Sequence, residues 1–175
     1  MLSIVWDDFG VQGANESFNG TVTLYVGGSG PGNYSSIQAA IDASNNGDTV
    51  YVYNGTYNEN VIVSTSIILL GQDRNTTIID VEGYHKVVDV TADNVTITGF
   101  TVLNSGNAGI TPNGVHHCRI ENVTVSNCYQ GISLYSSGDC TIIHSTISNN
   151  KHYGIELFYA NNCTIIHSTI YNDRF

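Results

Sequence analysis

Along the second half of the chain, apolar and polar residues alternate with a period of two, as in Cys140-Thr141-Ile142 and Ser145-Thr146-Ile147. That period puts alternate side chains on opposite faces of an extended backbone, so it predicts strands and not helices. The runs are short, because Asn, Gly, Ser and Asp interrupt each of them, and three such runs fit into every 22 or 23 residues.

The runs also repeat. The octapeptide CTIIHSTI spans Cys140 to Ile147 and recurs from Cys163 to Ile170. Val95, Cys118, Cys140 and Cys163 fill one column of the repeat, in steps of 23, 22 and 23 residues. Ile97, Ile120, Ile142 and Ile165 fill a second, and Val102, Val125, Ile147 and Ile170 a third. Asn104, Asn127, Asn149 and Asn172 form a fourth column, and Gly109-Ile110, Gly131-Ile132 and Gly154-Ile155 a fifth. The single-residue drift between copies falls in the Asn-to-Gly segment, where a turn absorbs it.

A fixed period of this length decides the architecture before local propensity does. It predicts an all-β, single-stranded right-handed parallel β-helix. Each coil returns about 4.8 Å above its start, so like residues stack on like. A primary amide can donate to the amide above and accept from the one below. The asparagine column is therefore expected to form an internal ladder at a turn.

Three segments precede or make up the coils. Residues 1–20 read as an N-terminal extension with one strand, Leu2 to Val5. Residues 21–63 read as a cap module and first coil: a strand TVTLYV, a loop GGSGPGNY, a short helix, then strands TVYVY and VIV. The helix rests on Ser35-Ser36-Ile37-Gln38, a capping-box pattern, with Ile37, Ala40 and Ile41 on one face. It would cover the open end of the first coil. Residues 64–175 read as coils, with an uncapped C-terminal end where Tyr171 to Phe175 are too few to cover the last rung. That end is expected to self-associate or to continue into further coils.

Charge narrows the partners. Acidic residues outnumber Lys and Arg by 15 to 5, for a net charge of −10. That sign opposes phosphate backbones and anionic lipid, which argues against nucleic acid and membrane partners. No apolar run approaches the roughly 18 residues of a membrane span, and MLSIVW is too short and lacks the cationic flank of a signal peptide. Eight Asn-x-Ser/Thr triplets begin at Asn15, Asn19, Asn33, Asn54, Asn75, Asn94, Asn122 and Asn162. With so few lysines, they favour an extracellular or cell-surface protein with these asparagines as glycosylation candidates.

The stretch YSSIQAAIDASNNGDTVYVYNGTYNENVIV, followed by SIILLGQDRNTTIID and NVTITGFTV, resembles the N-terminal region of pectin-lyase-like right-handed β-helix proteins. Within that superfamily it looks most like NosD-type repeat proteins of cell envelopes. The resemblance covers about residues 21–175 and implies the fold. The superfamily contains polysaccharide lyases, hydrolases and methylesterases, so an enzyme of that kind is one alternative. Gly55-Thr56-Tyr57-Asn58-Glu59 matches the G-x-Y-x-E stretch near the start of pectin methylesterases, where it marks a turn and cap. The later catalytic Gln, Asp and Arg motifs of that family have no counterpart here. Asp7-Asp8 is the one Asp pair, and it lies outside the coils. Asp89 and Glu156 share an outward column with Thr111 and Ser133 between them, about 14 Å apart at three steps of about 4.8 Å. Arg119 and Glu121 lie on one outward face and read as a surface ion pair. No catalytic or cofactor-binding residues are assigned.

His144 and His167 fall in one column above Asn122 and Gly99, where a strand gives way to a turn. Two stacked imidazoles make a candidate metal pair that lacks a third ligand, or two solvated turn histidines repeated with the coil. The NosD resemblance implies copper handling as a second alternative, with these two residues as the candidates. Cys118, Cys140 and Cys163 share an inward column and read as small apolar groups. Side chains in one parallel column point alike, which suits a disulfide poorly. Cys128 falls in a turn, where it could link to another subunit. The leading expectation is a non-catalytic extracellular β-helix, structural, self-assembling or carbohydrate-contacting.

Overall fold

In the computed structural model, residues 20–174 are described. The strand expected over Leu2 to Val5, and Asn15 and Asn19, lie outside the described residues. Each turn of the chain contributes strands to three parallel sheets, which together make a right-handed solenoid. The first sheet has seven strands, in spatial order Thr23–Val26, Thr49–Val52, Ile68–Gly71, Thr96–Thr98, Arg119–Glu121, Thr141–Ile143 and Thr164–Ile166. The second has six: Gly55–Tyr57, Thr77–Gly83, Thr101–Ser105, Thr124–Ser126, Thr146–Ser148 and Thr169–Tyr171. The third has five: Val61–Val63, Val88–Val90, Ala108–Pro112, Gln130–Tyr135 and Ile155–Phe158.

Strand register reproduces the sequence columns. Leu69, Ile97, Ile120, Ile142 and Ile165 pair in succession, as do Ile79, Val102, Val125, Ile147 and Ile170. A third inward column runs Val61, Val88, Ile110, Ile132 and Ile155. These side chains are the core, and each buried Ile or Val contributes about 1.5–3 kcal/mol. Cover comes chiefly from the next rung: Ile142 is 1% exposed beneath Ile165, which is itself 41% exposed in the last described rung.

The asparagine column lies at a turn, but it is not internal. Asn104 lies near the end of the strand Thr101–Ser105, and Asn127, Asn149 and Asn172 directly follow strands of the second sheet, with φ of 63°, 57°, 59° and 57°. Asn104 is half-buried and the other three are exposed. Only one amide-to-amide hydrogen bond joins them, from Asn172 Nδ2 to Asn149 Oδ1 at 3.4 Å. Asn104 Nδ2 donates instead to Asp80 Oδ1 at 2.8 Å. The column is filled by asparagine because that residue tolerates left-handed backbone, where a Cβ-bearing residue ordinarily pays 1–2 kcal/mol in steric strain (approximately).

The helix forms over Ile37–Asp42, with Ile37, Ala40 and Ile41 buried and packed toward the strands Thr23–Val26, Thr49–Val52 and Val61–Val63. Its cap differs from the local pattern. Ser36, not Ser35, is the N-cap, accepting from Ala39 N–H at 3.2 Å. The carboxylate half of the cap comes from Glu59, which accepts from the N–H groups of Ile37 at 2.8 Å and Gln38 at 3.0 Å. Gln38 itself turns to Ile62, accepting its N–H at 2.7 Å. The G-x-Y-x-E stretch is thus used in the cap: Tyr57 Oη donates to Tyr53 O at 2.8 Å while Glu59 holds the helix.

Candidate functional site

Outward positions of the third sheet run Ile62, Asp89, Thr111, Ser133 and Glu156 from rung to rung. Alternation alone would leave all five in solvent. Thr111 and Ser133 are nonetheless buried, at 3% and 6% exposure. Side chains from turns and from strand ends surround them. Lys86, Asn107, Asn113, Gln130 and Tyr135 rise around the strand floor and enclose a groove of about 320 Å³.

Polar groups converge in it. Glu156 Oε2 accepts from Gln130 Nε2 at 2.7 Å and from Ser133 Oγ at 2.9 Å. Lys86 Nζ pairs with Asp89 Oδ1 at 2.9 Å. Thr111 Oγ1 is buried with no hydrogen-bond partner among the described residues. One wall is aromatic: Tyr135 stacks on Phe158, with ring centroids 5.2 Å apart and planes 15° from parallel. Tyr159 meets Phe158 edge-on at 4.5 Å.

The two carboxylates of this column do not form a catalytic pair as placed. Three rung steps separate Asp89 from Glu156, about 14 Å, whereas glycosidase carboxylates stand about 5–9.5 Å apart. A hollow of about 420 Å³ elsewhere holds a pair that the sequence reading missed, Asp80 and Glu82 with Asn58. The alternation Ile79-Asp80-Val81-Glu82 carries the signal, since it sets both carboxylates on one face of the strand Thr77–Gly83. Asp80 is engaged there by Asn104. Arg119 and Glu121 form the expected surface pair at 2.9 Å, and the Arg119 guanidinium holds the Glu121 carboxyl below its usual range.

His144 and His167 stack as the columns require, with centroids 5.1 Å apart and planes 7° from parallel. Both are exposed and take left-handed backbone, at φ 50° and 48°. Imidazole lone pairs lie in the ring plane, so lone pairs in two parallel planes do not converge on one ion. Among the described residues, no group of three His, Cys, Asp or Glu is placed to hold a metal. The pair as arranged does not fit a copper site.

Cys118 and Cys140 are buried in the inward column and Cys163 is half-buried; none of the four cysteines is in a disulfide. The neighbouring Cys140 thiol and burial both push the Cys118 thiol up. Cys128 does fall in the turn after Thr124–Ser126, but it is not open to another subunit: it is fully buried, and burial pushes its thiol up to about 11.

The described sequons cluster. Asn54, Asn75 and Asn122 sit in turns between the first and second sheets, and Asn94 and Asn162 in turns entering the first sheet; all five are exposed. Asn33 is half-buried in the cap loop, where its Nδ2 donates to Gly27 O at 2.6 Å. None of these six lines the groove of the third sheet.

Comparison with known proteins places this geometry in a class. The chain belongs to the family described as right handed beta helix region, whose model matches residues 86–174. It is 30% identical over 132 residues to a cell surface glycoprotein of Methanothermus fervidus, a match covering 74% of this chain and 20% of the relative. It is 32% identical over 131 residues to a probable pectinesterase/pectinesterase inhibitor 6 of Arabidopsis thaliana, covering 70% of this chain and 22% of that protein. The chain therefore spans about a fifth of the length of these curated relatives. Among solved structures it is similar to a pectin methylesterase in complex with a hexasaccharide, with a TM-score of 0.62, 17% identity, and coverage of 81% of this chain and 54% of that one. PemA of Erwinia chrysanthemi gives a TM-score of 0.59 at 15% identity, covering 83% and 54%. At such identities the likeness shows the pectin-lyase-like fold alone.

Proposed function

We propose that this chain is a non-catalytic, extracellular β-helix module of a cell-envelope protein, structural in its coils and carbohydrate-contacting on the outer face of its third sheet. The observation that carries the reading is the state of the two carboxylates on the outer face of the third sheet. Glu156 is bonded to Gln130 and Ser133, Asp89 is paired with Lys86, and three rungs lie between them. Such a site recognises hydroxyls without supplying an acid and a base to one bond. The cell-surface relative and the placement of the sequons away from the groove support the same reading.

The test is a panel of plant and microbial polysaccharides, acidic and neutral, followed for unsaturated ends, reducing ends and released methanol, with retardation in polysaccharide-containing gels as the binding readout. Retardation without product is the expected result. Turnover abolished by Glu156→Gln, or by Asp80→Asn, would replace this reading with a polysaccharide-active enzyme and say which carboxylate serves it.

A further inference from the structure

We infer that the groove of the third sheet takes a neutral glycan and discriminates against acidic ones. The inference rests on the carbohydrate-contacting reading and adds the class of sugar.

Charge is the first ground. Lys86 is the one cation lining the groove among the described residues, and Asp89 already neutralises it. Glu156 lies at the other end, and the chain carries a net charge of −10. A uronate carboxylate entering here meets a carboxylate with no free cation to offset it, and losing water without a counter-charge is costly. A hydroxyl, by contrast, donates to a carboxylate in a charge-assisted hydrogen bond. Both protein donors reach Glu156 through Oε2, so Oε1 keeps acceptor capacity for such a hydroxyl.

Thr111 is the second ground, independent of charge. The residue lines the groove at 3% exposure, and its hydroxyl, buried just beneath the surface, has no partner among the described residues. Native proteins rarely leave a buried hydroxyl unpaired, and an unpaired one costs about 1–3 kcal/mol. A sugar hydroxyl, able to donate and accept, satisfies it. Tyr135 then supplies a flat apolar wall, held by its stack on Phe158, against which the C–H face of a sugar ring packs. At about 320 Å³ the groove is at the small end of ligand pockets, which suits a short stretch of a glycan chain.

Isothermal titration of the intact chain with neutral cello-, manno- and galacto-oligosaccharides, and with oligogalacturonate of matched length, tests this. Binding of at least one neutral series and none of oligogalacturonate is expected. Thr111→Val, which keeps the shape and removes the hydroxyl, should weaken the neutral ligand roughly fivefold to tenfold, the scale of one hydrogen bond. Tyr135→Ala should weaken it by about tenfold, with circular dichroism confirming that both variants are folded. Oligogalacturonate bound as tightly as the neutral sugars would overturn the neutral class while leaving carbohydrate contact standing. A folded protein that binds no glycan would overturn both. Neutral binding indifferent to both variants would place the site elsewhere.

Discussion

Ser133 Oγ and Gln130 Nε2 both donate to Oε2 of Glu156, at 2.9 and 2.7 Å, across a rung step of the third sheet. This arrangement makes Glu156 a fixed acceptor in the groove. Glu156→Ala would leave the buried Ser133 hydroxyl without its acceptor, at a cost of about 1–3 kcal/mol in unfolding free energy. Glu156→Gln keeps an acceptor and should cost less than half as much. Urea denaturation of the two variants distinguishes them, and equal losses would mean that the hydrogen bonds do not form.

The core columns make a sharper contrast. Ile142 is 1% exposed between Ile120 and Ile165, while the adjacent Thr141 faces outward and is half-buried. Ile142→Asp buries an unpaired charge and should cost more than about 4 kcal/mol, in the range that unfolds a marginal domain. Thr141→Asp should stay within about 1 kcal/mol. Equal thermal shifts would contradict the assigned faces.

At Asn149 the backbone decides the outcome. With φ of 59° and an exposed side chain, Asn149→Gly should be nearly neutral, and Asn149→Ala should cost about 1 kcal/mol through left-handed strain. A stacked amide ladder would instead make both substitutions costly, so comparing the two by chemical denaturation separates the explanations.

Asp48 gives a pH signature. It is 2% exposed and accepts from Val22 N–H and Asn45 N–H, each at 2.8 Å. The Val22 and Asn45 backbone donors hold its carboxyl below the ordinary 3.8. A depressed folded value means that the ionised form stabilises the fold; this contribution is complete above the ordinary value and is lost as pH falls through the lower, folded one. Thermal midpoints of the natural protein should therefore drop faster than those of Asp48→Asn as pH falls below about 4. Parallel curves would contradict the assignment.

The columns were legible because a parallel solenoid obliges every rung to repeat its inward residues. Ile97, Ile120, Ile142 and Ile165 thus revealed the register of the first sheet. Repetition says nothing about which side a turn residue faces: it predicts an internal asparagine ladder, whereas Asn127, Asn149 and Asn172 are exposed on left-handed backbone. The helix cap escaped for a different reason: its carboxylate, Glu59, lies 22 residues from Ile37 and reaches it only through the fold. The groove was the least legible part. Alternation marks Thr111 and Ser133 as outward, and it gives no sign that they are buried beside Lys86, Asn113 and Gln130, which the fold brings around them.

The most direct test of the site is to map amide and side-chain NMR shifts of the intact chain during titration with whichever glycan retards it in gels. Shifts confined to Thr111, Ser133, Tyr135, Glu156 and their neighbours on the third sheet are the expected result. Shifts centred on His144 and His167, or on the outer face of the first sheet, would contradict it.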